Sequence, residues 1–299
     1  MRKHLKSSYL TYAAERNKSS KAFFAIALLH ILFCLASFIY FAILGRARDS
    51  VLALFFVIVI PLVLLIEKSW HLKFGTPFIA LLVFIAMGST LGAGYDLYTI
   101  VPFFDTILHV VSGFLFACLG FGLMQLIIGK AENKKSFLAC LLFGFAMSLA
   151  IGLMWELFEY AGTALLGQDM QEDTIINGFN SFLLSGTHSE TFDVEGIVQT
   201  VIYLSNGQTV TINGYLDIGL IDTIIDMAVC FGGGVFYMIA TAIDWCKSKN
   251  KRFFKAFIPQ LVEKERSGEV VEGEEQTATA LFKDSQAAEG ELCDIQDSN

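Results

Sequence analysis

The chain has 299 residues, of which 55% are hydrophobic and 17% charged, and its mean hydropathy is +0.58. Soluble domains carry closer to a quarter charged residues, so an ordinary water-soluble protein is excluded and an integral membrane protein is indicated. The net charge of −8 belongs to the C-terminal stretch Leu261 to Asn299, with eleven acids against three bases; the rest of the chain is balanced, and no nucleic-acid partner is expected.

In chain order, residues 1–21 form a basic arm with Arg2, Lys3, Lys6, Arg16, Lys18 and Lys21. Six apolar segments follow, at 22–44, 51–67, 76–95, 104–128, 136–160 and 218–243. A helix needs about 20 apolar residues to cross a bilayer. Five segments reach or approach this length; the second is short, contains Pro61, and borrows "SWHL" with Trp70 at the interface. The first resembles a signal sequence but is too long for a typical apolar core and lacks a small-x-small cleavage site, so it reads as a retained helix.

The loop at about 161–217 has no Lys or Arg. Within it, "VQTVIYLSNGQTVTINGYL" alternates and turns at Asn206-Gly207, which predicts a small β-hairpin. Beyond Trp245 the chain leaves the apolar domain 22–246, and 247–299 reads as a tail that is acidic and disordered from about 261. The six cysteines (34, 118, 140, 230, 246 and 293) show no metal or disulfide spacing and behave as small hydrophobes.

With six spans, nineteen of the 21 Lys and Arg fall on one side, and only Arg46 and Arg48 on the other. Positive residues favour the cytoplasm. The expected fold is therefore an all-α, six-helix transmembrane bundle in a plasma or inner membrane, with both termini cytoplasmic and an extracytoplasmic β-hairpin between helices 5 and 6.

This topology gathers the acids. Asp96 follows the third span, Asp105 and His109 open the fourth, Glu156 and Glu159 close the fifth, and Asp217, Asp222 and Asp226 open the sixth. All eight groups fall at one level near the outer interface. Three pairs are spaced i,i+3 or i,i+4 and so share single helix faces. An ionised carboxylate in the apolar region costs at least a few kcal/mol unless compensated. An Asp at a helix N-terminus gains about 0.5 kcal/mol from the dipole, but Glu156 and Glu159 sit at a C-terminal end, where the dipole opposes them. From Lys135 to Lys247 the chain has no intervening Lys or Arg, so compensation falls to cations, protons or water. An oxygen-rich set with one imidazole suits Mg, Mn, Fe or Zn. The expected metal ligands are His109, Glu156, Glu159, Asp222 and Asp226, with Asp105 orienting a ligand or acting as general base. The simpler reading of Asp96 and Asp217 is helix capping. His30 reads as a packed histidine, and Gly232 to Gly234 as a site of close helix approach.

"YD" at 95–96, "DTILHVVSG" at 105–113, "WELFEY" at 155–160 and "DTIIDM" at 222–227 occur in an order that resembles the YjdF-like inner-membrane proteins, over about residues 90–240. The resemblance implies a multi-pass membrane protein and supplies no reaction. The stretch Gln171 to Tyr215 and the acidic tail depart from it as insertions.

Three functions fit these features. The first is a metal-dependent membrane enzyme acting at the outer leaflet on a lipid or lipid-linked headgroup. The second is a cation or proton pathway. It is disfavoured because the opposite halves of the same helices offer few polar groups beyond Gln125, Ser148 and Tyr237. The third is a scaffold or sensor whose hairpin and tail bind partners.

Overall fold

The computed structural model describes residues 16, 20–167, 169–247 and 252–261. Most of the basic arm, and the tail from 262 onward with its expected disorder, lie outside the described residues.

Among the described residues, six helices or helix pairs are long and apolar enough to cross a membrane: 21–43, 47–70, 76–94, 104–128, 134–165 and 220–245. The first is α1 (Lys21–Ile43), whose Ser20 hydroxyl accepts from the Phe23 N–H at 3.2 Å. The second is broken into α2 (Ala47–Phe56) and α3 (Val59–Trp70). The break follows from Pro61, which lacks an N–H and is tolerated only in the first turn of a helix. His30 is fully buried, with Nε2 3.0 Å from the Phe56 carbonyl at the break. Its imidazole thus serves a carbonyl at the end of α2, which agrees with a packed rather than catalytic histidine.

The second span starts four residues earlier than hydropathy predicts, because charge pairing lets Asp49 be buried. Its carboxylate accepts from Arg46 Nε at 2.6 Å and pairs with Arg48 Nη2 at 3.0 Å. The third span, α4 (Thr76–Ser89), ends in a π-turn, Thr90–Gly94, and is followed by the short α5 (Leu97–Ile100). The fourth is α6 (Phe104–Ile128). The fifth, α7 (Lys134–Leu166), begins with a reciprocal Asn133–Ser136 cap and outruns its predicted end by six residues. The sixth, Leu220–Trp245, follows the long loop after α7.

The loop after α7 is more elaborate than the single hairpin expected. It holds β2 (Thr174–Ile176), β3 (Phe179–Ser181), α8 (Phe182–Ser185), β4 (Phe192–Val194), β5 (Thr200–Tyr203), β6 (Thr209–Ile212) and β7 (Tyr215–Asp217), and leads into α9 (Leu220–Trp245). The antiparallel pairs are β2–β7, β3–β4 and β5–β6. Only β5–β6 carries a local turn signal, with Gly207 at φ 84°. The β2–β7 pair joins Thr174 to Asp217 across a long sequence separation that no short motif announces.

At the opposite end of the bundle, β1 (Leu72–Lys73) pairs with β8 (Gln260–Leu261). Asp244 accepts from the Phe254 N–H at 2.9 Å and from Lys247 at 3.1 Å, fixing the return of the chain after α9.

The core includes Phe23, Phe78, Ile79, Leu115, Phe121 and Tyr237. Many other large apolar side chains face outward, among them Leu29, Ile127 and Phe236. Such a surface is poorly suited to water and well suited to lipid. Cys34, Cys118, Cys140 and Cys230 are buried free thiols, as expected for small hydrophobes.

The helices that later form the site meet through missing side chains. A Cβ on Gly113 of α6 would sit 2.0 Å from the Cys230 carbonyl oxygen of α9, and one on Gly233 would sit 2.1 Å from the Val110 carbonyl. Backbones can approach this closely only at glycine. Gly113→Ala is therefore expected to push α6 and α9 apart, cost about 1–3 kcal/mol and lower the Tm in detergent. An unchanged Tm would contradict this packing.

Candidate metal centre

The end of α7 has its polarity inverted relative to a soluble helix. Glu156 and Glu159 are 4% and 9% exposed, whereas Met154, Leu157 and Phe158 are all more than half exposed. Helical spacing puts the two glutamates on one face, and that face turns inward. This arrangement requires apolar surroundings outside the bundle and a polar environment within it.

The inward face meets α6 and α9. His109 lies one turn before Gly113 on α6, and Asp226 one turn before Cys230 on α9, so the close crossing brings these side chains together. His109 Nδ1 is 3.6 Å from Glu156 Oε1. Its Nε2 is 3.5 Å from Asp105 Oδ2 and 3.8 Å from Asp226 Oδ2. All three separations exceed a good hydrogen bond. Glu159 Oε1 accepts from the Trp155 indole N–H at 2.8 Å, a contact one helical turn long. Both Glu156 oxygens are buried with no hydrogen-bond partner within 3.5 Å among the described residues, the Thr223 hydroxyl standing nearby.

Two groups of ligand atoms emerge. His109, Glu156, Glu159 and Asp226, all buried, offer atoms within 4.8 Å of one another. Asp105, Asp222 and Asp226 do the same. Opposite ligands of an octahedral ion with bonds of about 2.1 Å lie about 4.2 Å apart, so a small contraction would suit a divalent cation. The six residues anticipated from sequence thus fall into two groups that share Asp226.

Asp96 and Asp217 do not join them. Asp96 is exposed and accepts from the Thr99 hydroxyl at 2.8 Å. Asp217 accepts from the Ile221 N–H at 2.8 Å, a capping contact at the start of α9.

Among the described residues, no lysine or arginine pairs with the clustered carboxylates. Every other buried carboxylate does have a basic partner: Asp49 has Arg46 and Arg48, Glu67 has Arg16, and Asp244 has Lys247. The arginines nearest in topology, Arg46 and Arg48, are committed to Asp49. The cluster is the exception within its own molecule.

Sequence reasoning missed the residues that cover it. The β2–β7 pair draws the segment before Thr174 against the start of α9. There the Glu172 N–H donates to Asp222 Oδ2 at 3.0 Å, and the Gln171 amide donates to the Thr223 hydroxyl at 2.6 Å. Burial, followed by the nearby Asp222, Asp105 and Asp169, pushes the Glu172 carboxyl above its ordinary pKa. Tyr98 of α5 packs over Gly92; burial, followed by Asp105, Glu159, Glu172 and Asp226, raises its phenol. The acidic run "DMQED" hinted at Glu172, but its placement depends on the long-range strand pair.

A family model described as a predicted membrane protein, DUF2238, matches residues 26–245. The chain belongs to this family. The match covers five spans in full, most of the first and every clustered residue, and it agrees with the resemblance to YjdF-like proteins noted from the motifs. No curated protein and no solved structure matches this DUF2238 protein.

Proposed function

We propose that this DUF2238 protein is a metal-dependent membrane enzyme acting on a lipid or lipid-linked headgroup at the outer leaflet. The observation that carries this reading is Glu156, a buried carboxylate without a hydrogen-bond partner that faces an imidazole and further carboxylates. A divalent cation such as Mg, Mn, Fe or Zn supplies the missing positive charge, with His109, Glu156, Glu159 and Asp226 as its ligands. Such an ion polarises an ester or phosphoryl oxygen and brings the pKa of a water it holds toward neutrality. Asp105, beside His109 and less buried than its neighbours, would orient a ligand or serve as the general base.

The outer-leaflet assignment rests on the positive-inside bias, which puts the 44–46, 95–103 and 166–219 connections outside. A headgroup is the substrate within reach at that depth.

A through-membrane ion pathway gains less support. The buried face of α9 does carry more polar groups than expected from sequence, since Thr241 and Asp244 join Tyr237 there. But Asp244 is occupied by Lys247 and the Phe254 N–H. Between Asp226 and Tyr237, Gly233 is pressed against the α6 backbone.

Metal analysis of detergent-purified protein tests the reading, beside Glu156→Gln. Wild type should carry stoichiometric divalent metal and release soluble headgroup from phospholipid micelles; the variant should lose both properties. Equal, negligible metal in the two proteins would end the proposal.

A further inference from the structure

The charge balance calls for more than one cation. We infer that the site holds a pair of divalent ions bridged by Asp226, and this rests on the metal-centre reading above. One ion belongs to His109, Glu156, Glu159 and Asp226, and the second to Asp105, Asp222 and Asp226. Asp226 belongs to both groups, is 2% exposed, and has two carboxylate oxygens to offer.

Electrostatics sets the number. When all are ionised, Asp105, Glu156, Glu159, Asp222 and Asp226 bring five negative charges to one level of the bundle, with no Lys or Arg paired to them among the described residues. A single dication leaves three charges uncompensated, including those of Asp105 and Asp222. Two dications leave one, which a proton or water can accommodate at little cost. In a medium where each unbalanced charge costs several kcal/mol, the second ion offsets as much charge as the first.

The independent sign of a missing ligand is Glu156, 4% exposed and with both oxygens unpartnered. Asp222 is already held in position, since its Oδ2 accepts from the Glu172 N–H at 3.0 Å, leaving its other oxygen for an ion. Two-ion sites have metals about 3.5–4 Å apart, the separation that one bridging carboxylate supports. In this arrangement Asp105 is a ligand of the second ion and not the general base. Both groups are dominated by oxygen, so hard ions such as Mn2+ or Mg2+ are the expected occupants.

Full-length protein in detergent, stripped with chelator and titrated with Mn2+, provides the test, read by bound manganese per chain and by electron paramagnetic resonance. Wild type should bind two Mn2+ per chain with a spin-coupled spectrum. Asp105→Asn/Asp222→Asn should bind one, with the uncoupled signal of an isolated ion, because the first group is intact. Asp105→Asn alone, a milder change, should weaken only the second binding step; Tm measured alongside identifies a variant that fails to fold. One Mn2+ per wild-type chain would overturn the pair and leave the single-metal enzyme standing, and none would overturn both. Two uncoupled ions, or two ions retained in the folded double variant, would overturn the bridge.

Discussion

Glu156→Gln is expected to raise the Tm of metal-stripped protein and to remove the further rise that Mn2+ gives the wild type. Glu156 is buried without a hydrogen-bond partner and stands among other carboxylates. In the stripped state it contributes repulsion and an unmet desolvation cost, so the neutral amide should gain about 1–3 kcal/mol. With metal present the sign reverses. A ligand at 100 times its Kd stabilises the native state by about 2.7 kcal/mol, and a chain that has lost a ligand forfeits most of this. Thermal unfolding of both proteins, with chelator and with Mn2+, gives four midpoints that test the crossing. A variant less stable than wild type in chelator, with Mn2+ inert on both, would mean that Glu156 has an ordinary structural role.

Glu67→Ala should behave in the opposite way. Glu67 is as buried as Glu156, but its carboxylate accepts from Arg16 Nε at 3.1 Å and from the Phe74 N–H at 2.8 Å. Arg16 in turn donates to the Phe74 carbonyl at 2.8 Å and lies over the Phe23 ring. Removing the carboxylate takes away the counter-charge that Glu67 gives the buried guanidinium, at a cost of about 3–5 kcal/mol. The loss should be the same with chelator or Mn2+, and the folded fraction should take up metal normally. Arg16→Met combined with Glu67→Ala should recover much of the stability, since replacing both members of a buried pair is often nearly neutral. If the double variant is no better than Glu67→Ala, the ion pair is not what holds this end together.

The contrast between these carboxylates shows what was legible in advance. That Glu156 and Glu159 share a face, that Asp222 and Asp226 share another, and that no nearby Lys or Arg serves them are properties of spacing and composition. They follow from the 3.6-residue period and need no tertiary information. The β5–β6 turn was legible from Asn206-Gly207, whereas Pro61 was noted without the break that the second span makes beside it. The cover over the site could not be read in the same way. Glu172 and Gln171 reach α9 because Thr174 pairs with Asp217, a contact without a local signature. Tyr98 likewise reaches the cluster only through the turn at Thr90–Gly94 and the short α5 that follows.

The sequence by itself determined the membrane class, the six spans and the set of acids gathered at one end, because hydropathy, helical period and span parity are local or cumulative properties of the chain. The tertiary structure decided which acids belong together. It set Asp96 and Asp217 aside as helix-end contacts and left Asp226 common to two groups. The reason is steric: α6 and α9 touch backbone to backbone at Gly113 and Gly233, and that contact fixes which side chains one turn away lie within reach of one another.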